Sequence, residues 1–167
     1  MKSYSQAWVW EKPINTTKNS IATDPNHNII VLSKNGNLTQ LSKFTKDGTL
    51  IWSNGLKKAG SFTPSGTVVA DKIGNIYTFT EGFDSVNSVF TGIKSRGITK
   101  FDPQGNALWH VPYDDNQYPL SADTKLPIQL DESNNVYVGY SVTLPSATVT
   151  VRLGNLTTTV IDRKSVV

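Results

Sequence analysis

Residues able to do acid–base or nucleophilic chemistry are few in this 167-residue chain. There is no cysteine, which excludes disulfides, cysteine-ligated zinc and thiol catalysis. The two histidines are His27 and His110. Nucleophilic catalysis needs a positioned base. His27 falls in a polar turn and His110 follows Trp109 at a strand end, so both read as ordinary loop and strand residues. Two histidines also cannot form a three-ligand zinc site without carboxylate help. The neighbours Asp114 and Asp115 would point apart, which suits an acidic loop and not a catalytic dyad.

Three aspartates recur at fixed spacing from an asparagine: Asp24 with Asn28, Asp71 with Asn75, and Asp131 with Asn135. Aspartate-rich loops can bind calcium, but calcium wants six to eight oxygens and each of these loops offers one carboxylate. An aspartate that caps its own turn explains the same spacing without a metal. No GxxxxGK[ST] or GxGxxG phosphate loop is present. The expectation is a chain with no catalytic, cofactor-binding or metal-binding residues, and so not an enzyme.

The elements that carry these residues repeat. Residues 41–52, LSKFTKDGTLIW, align without a gap on residues 98–109, ITKFDPQGNALW, at an offset of 57 (98 − 41). Lys43, Phe44, Gly48 and Trp52 are identical to Lys100, Phe101, Gly105 and Trp109. Alternation of apolar and polar residues predicts a half-buried strand, then a polar turn, then a strand closing on Trp, which is a hairpin. The Asp/Asn element occurs in 21–32, 68–79 and 128–139, each with an apolar approach and a β-rich exit. No window holds a helical apolar stripe beyond about two turns. The order is hairpin one, then hairpin two, repeated. Four strands in about 40–50 residues is the size of a propeller blade.

The stretches KFTKDGTLIW and KFDPQGNALW resemble the bacterial β-propeller repeat known as SBBP. They are more weakly similar to the repeats of quinone-dependent dehydrogenases. The resemblance covers roughly residues 8–140 and implies an all-β fold of propeller-like blades, antiparallel four-stranded sheets in about three units. It implies architecture and no activity, since quinone enzymes need many blades and calcium-ligating acids. The units are expected at about 14–57, 58–113 and 120–162. Trp8-Val9-Trp10 falls where Leu50-Ile51-Trp52 falls, so a strand at 5–13 could complete the last unit. Trp10, Trp52 and Trp109 share one repeat position and are expected to pack within or between units. Three blades leave strand edges that invite pairing with another chain. The expectation is an incomplete propeller, or one completed by self-association or by a larger assembly.

Composition narrows the partners. Hydrophobic residues at 37% can supply a core, and charged residues at 17% are too few for a disordered chain. A net charge of +3 without a Lys/Arg cluster is no nucleic-acid footprint. No apolar run of about 18 residues exists to insert in a membrane as a helix. The N-terminal sequence carries no signal-peptide run. The longer connections 81–96 and 110–127 are the expected contact regions, because loops on a rigid scaffold commonly carry recognition. Phe83, Phe90, Tyr113, Asp114, Asp115 and Tyr118 are the candidate ligand or partner contacts. The reading is a non-enzymatic structural or binding module with protein partners, on a cell surface or in a bacteriophage particle. The alternatives are a carbohydrate-binding module using Tyr113, Tyr118, Phe83 or Phe90, or a fragment of a quinone-dependent dehydrogenase-like propeller.

Overall fold

The computed structural model describes residues 11, 18–35, 38–57, 66–80, 85–86, 89–90, 97–114, 127–138, 148–153 and 156–161. Among them the chain is all-β and antiparallel, with no helix. β1 (Lys18–Thr23), β2 (Ile29–Asn35), β3 (Leu38–Phe44) and β4 (Leu50–Lys57) form one four-stranded meander. β5 (Thr67–Ala70), β6 (Ile76–Thr80), β9 (Gly97–Phe101) and β10 (Ala107–Asp114) form a second. Each meander carries a hairpin on its last strand: β7 (Ser85–Val86) with β8 (Val89–Phe90) on β4, and β13 (Thr148–Leu153) with β14 (Leu156–Ile161) on β10. β11 (Ile128–Leu130) and β12 (Val136–Val138) make a separate two-stranded ribbon.

Register follows the sequence repeat residue by residue. β3 pairs with β4 at Leu41↔Asn54, Ser42↔Ser53 and Lys43↔Trp52, and then skips Ile51 so that Phe44 faces Leu50. β9 pairs with β10 at Ile98↔Val111, Thr99↔His110 and Lys100↔Trp109, and then skips Leu108 so that Phe101 faces Ala107. The β-bulge therefore sits at the same repeat position in both hairpins and turns Ile51 and Leu108 outward. The first hairpins agree as well. Ala22↔Ile30, Val69↔Tyr77 and Gln129↔Tyr137 are one register position, at offsets of 47 (77 − 30) and 60 (137 − 77).

The first strands of the three units lie in a row. β5 packs against β1 and β2 of the first unit and against β11 of the third. The Val68 amide donates to Ser20 Oγ at 3.2 Å, linking β5 to β1. The core runs between the two meanders. Ile30, Leu32, Leu41 and Leu56 of the first pack on Val68, Ile76 and Phe101 of the second, with Ala22, Trp52, Ala70 and Ala107 at the margin. Each fully buried aliphatic or aromatic side chain contributes roughly 1.5–3 kcal/mol.

Two expectations change here. The alternation of 41–44 predicts a half-buried strand, but Leu41, Ser42, Lys43 and Phe44 are all buried. Lys43, at a polar position of that alternation, is itself internal and bonds the partners described below. Residues 110–127 are read as a loop, yet 110–114 continue β10, held by Thr99↔His110, Ile98↔Val111 and Gly97↔Pro112. Of the strand expected at 5–13 only Glu11 is described, exposed and in no strand; the rest lies outside the described residues.

Candidate interaction surface

Five turns share one backbone geometry. At 24–28, 45–49, 71–75, 102–106 and 131–135 the first residue's amide donates to the fifth carbonyl, and the fourth amide donates to the first carbonyl. The fourth residue is left-handed each time: His27, Gly48, Gly74, Gly105 and Asn134, with φ from 61° to 87°. This is a type I turn followed by a left-handed residue, a common three-residue hairpin loop. In four of the five the first residue is Asp, and its Oδ1 accepts from the third and fifth amides at 2.8–3.1 Å. Its Oδ2 accepts from the Nδ2 of the fifth residue, Asn28, Asn75, Asn106 or Asn135, at 2.7–2.9 Å. The turn at 45–49 has Thr45 and Thr49 instead, and Thr45 Oγ1 accepts from the Thr49 amide at 3.1 Å. Sequence reading separates the Asp/Asn turns from the Trp hairpins. The structure joins them, since Asp102 and Asn106 make the same turn.

Both oxygens of each carboxylate are engaged by their own loop, the arrangement of an Asx turn. Among the described residues, no three or more His, Cys, Asp or Glu side chains gather where a metal could sit. Burial pushes the Asp24 carboxyl up, but bonds from Lys43 and Asn28 outweigh it and hold it below the usual carboxylate range. At Asp71 burial likewise raises the carboxyl, and bonds from Asn75, Ile73 and Tyr77 outweigh it and hold it low. Asp102 is lowered in the same way, against burial, by Asn106, Gln104 and Gly105. At Asp131 the bond from the Asn135 side chain lowers the carboxyl foremost.

A fourth donor, the second on Oδ2, completes the set and differs between units. In the first it is Lys43, whose Nζ lies 2.8 Å from Asp24 Oδ2. In the second and third it is a tyrosine hydroxyl, Tyr77 to Asp71 at 3.2 Å and Tyr137 to Asp131 at 3.1 Å. Tyr77 and Tyr137 stand at the repeat position of Ile30. With that oxygen taken, Lys100 instead places Nζ 5.1 Å from the centre of the Tyr77 ring, a cation–π contact. Trp109 meets the same ring edge-on at 5.9 Å.

The turn at 102–106 is also an inter-sheet plug. Pro103 O accepts from Trp52 Nε1 at 3.1 Å and from Lys43 Nζ at 3.4 Å. Gly105 O accepts from the buried Asn54 Nδ2 at 2.8 Å. Lys43, Trp52 and Asn54, on the strands of one hairpin, thus grip two carbonyls of the next unit's turn. The packing role expected for Trp52 is present and includes a hydrogen bond. Trp10 lies outside the described residues, and Trp109 is 40% exposed. The Lys43 role was open to sequence reading only as an identity with Lys100.

The remaining predicted residues are placed as follows. His27 is exposed at its left-handed turn position. His110 lies within β10, not at a strand end, and its Nδ1 bonds Thr99 Oγ1 at 3.0 Å across the hairpin. The equivalent pair in the first unit is Ser42 Oγ with Ser53 Oγ at 2.7 Å. Phe90 belongs to β8, while Tyr113 and Asp114 end β10, where they pair with Leu153 and Arg152 of β13. Phe83, Asp115 and Tyr118 lie outside the described residues. No protein-family model and no curated protein matches the chain.

Proposed function

We propose that this chain is a non-enzymatic structural or binding module, a propeller-like array of β-repeats that works inside a larger protein assembly on a surface or in a bacteriophage particle. The observation that carries the reading is the shared register of the three units, with β1, β5 and β11 side by side. Such a row is how blades succeed one another around a propeller axis. The chemistry of the repeat is spent on holding turns and joining sheets: the aspartates cap, and in the first unit Lys43, Trp52 and Asn54 dock the next unit. Unit-to-unit joining of this kind is open-ended, and an open-ended array has edges that partners can cover.

Absolute mass in solution by light scattering tests this. A mass of two or more chains at micromolar concentration is the expected result. A monomer that stays monodisperse at high concentration, alone and with extracts of its native particle or surface, would count against it.

A further inference from the structure

The third unit is placed on the second as the second is on the first, but among the described residues without one element. Two relations show the placement. β11 packs on β5 as β5 packs on β1. β13 also pairs with the end of β10 at Tyr113↔Leu153 and Asp114↔Arg152, as β7 pairs with the end of β4 at Leu56↔Val86 and Lys57↔Ser85. Tyr113 and Asp114 lie at the 57-residue offset from Leu56 and Lys57 (113 − 56), so β13–β14 is the counterpart of β7–β8. It is a hairpin sent back onto the previous unit's edge. The counterpart of β3–β4 and β9–β10 is therefore not supplied by β13–β14.

The two places that such a hairpin would cover are both exposed. In the second unit β9 lies on β6 with Lys100 opposite Tyr77, and Tyr77 is 2% exposed. In the third, β12 pairs with β11 alone among the described residues, and Tyr137 is 58% exposed. The turn of β9–β10 covers Trp52 of the unit before it. Its counterpart would fall on Trp109, which is exposed beside exposed Leu108. One grip residue differs, Val111 standing at the position of Asn54, so that amide bond has no counterpart.

We propose that the β12 edge with Tyr137 and the Trp109 face form one acceptor surface for a β-hairpin of this chain's own repeat pattern, presented by a partner protein. The pattern is a strand bearing Lys-Phe, a five-residue turn with glycine fourth, and a return strand closing on Trp. The hairpin's first strand adds to β12 with its Lys opposite Tyr137, a case of strand addition to a sheet edge. Its turn places a carbonyl against Trp109 Nε1, as Pro103 does for Trp52. The inference rests on the repeat-array reading above and adds the partner's chemistry to it.

The test uses the full chain and a backbone-cyclised peptide of sequence GITKFDPQGNALWHVPYD, residues 97–114, as the probe. Calorimetry should show saturable binding, with hydrogen exchange slowed at the amides of 136–138. Replacing the peptide's Lys by Ala should weaken binding several-fold, on the order of one lost cation–π contact, and Trp109→Phe in the chain by roughly tenfold, the scale of one lost hydrogen bond from a buried group. Trp109→Phe keeps a ring on Tyr77, so folding should be retained. No binding up to millimolar peptide would overturn the proposal. So would binding indifferent to both changes, or protection at 76–80 in place of 136–138. The light-scattering mass is read separately, so an assembling chain that ignores the peptide would sink this inference and leave the broader reading standing.

Discussion

Lys43 Nζ and Asp24 Oδ2 are 2.8 Å apart, with side chains only 7% and 1% exposed. The pair ties the first turn of the unit to its third strand, and Lys43 passes a further bond to Pro103 O of the next sheet. Removing one partner of a buried ion pair strands the other charge, which costs about 3–5 kcal/mol. Lys43→Ala should destabilise by that amount in urea unfolding. The double variant Lys43→Met with Asp24→Asn should recover at least half of the loss, because no unpaired charge is left. A double variant as unstable as Lys43→Ala would mean that the pair acts mainly through packing.

Acid should weaken the fold through its turns. Asp24, Asp71, Asp102 and Asp131 all have carboxyls held below their ordinary value. A depressed folded pKa means that the unfolded chain takes up protons first as pH falls. Stability from these groups is full above the unfolded value, about 4. It is lost as pH drops through that value toward the folded ones. Urea midpoints should be level from about pH 7 to 5 and fall steeply from about pH 4 to 2.5. Asp71→Asn should flatten part of this slope; an unchanged slope would exclude Asp71 as a contributor.

Tyr137 should titrate late. Its hydroxyl donates to the Asp131 carboxylate, and ionisation would lose that bond and set two negative charges together, so its pKa is raised above 10.0. A raised folded pKa contributes stability at lower pH that is lost as pH rises through it. In an ultraviolet titration a late phenolate transition should disappear in Tyr137→Phe. It should shift down in Asp131→Asn.

These tests mark what was legible in the sequence. The Asp-to-Asn spacing was readable because the capping bonds are local: Asp71 and Asn75 need only each other and the two amides between and beside them. The ungapped match of 41–52 to 98–109 gave the strand register, including a bulge that it did not announce. Lys43 was not legible, since an alternating polar residue in a strand looks solvated until Asp24 and Pro103 close over it. The placement of β13–β14 on β10 was hidden too. The segment 147–162 alternates well, but alternation fixes a strand and not its partner. The contact residues were chosen from loop composition alone. Phe90 lies on β8, and Tyr113 and Asp114 on β10.

The docking of one unit on the next can be isolated with two glycines. Gly74 and Gly105 occupy the same turn position with φ of +87° and +86°. Alanine at either should cost about 1–2 kcal/mol for the left-handed backbone, less up to about 1 kcal/mol of recovered chain entropy. The surroundings differ. A Cβ on Gly74 would meet only Pro103, at 3.6 Å, in ordinary contact. A Cβ on Gly105 would collide with Asn54 Nδ2 and lie 3.0 Å from the Trp52 ring. Gly105→Ala must therefore also disturb the Asn54 bond to Gly105 O, worth about 1–3 kcal/mol when its buried partner is left unsatisfied. Gly74→Ala should lose about 1 kcal/mol and Gly105→Ala about 2–4 kcal/mol in chemical denaturation. Asn54→Ala combined with Gly105→Ala should cost less than the two changes summed, because removing the amide makes room for the methyl. Equal losses for the two glycines, with additivity at Asn54, would mean that the turn at 102–106 does not bear on the neighbouring sheet in solution.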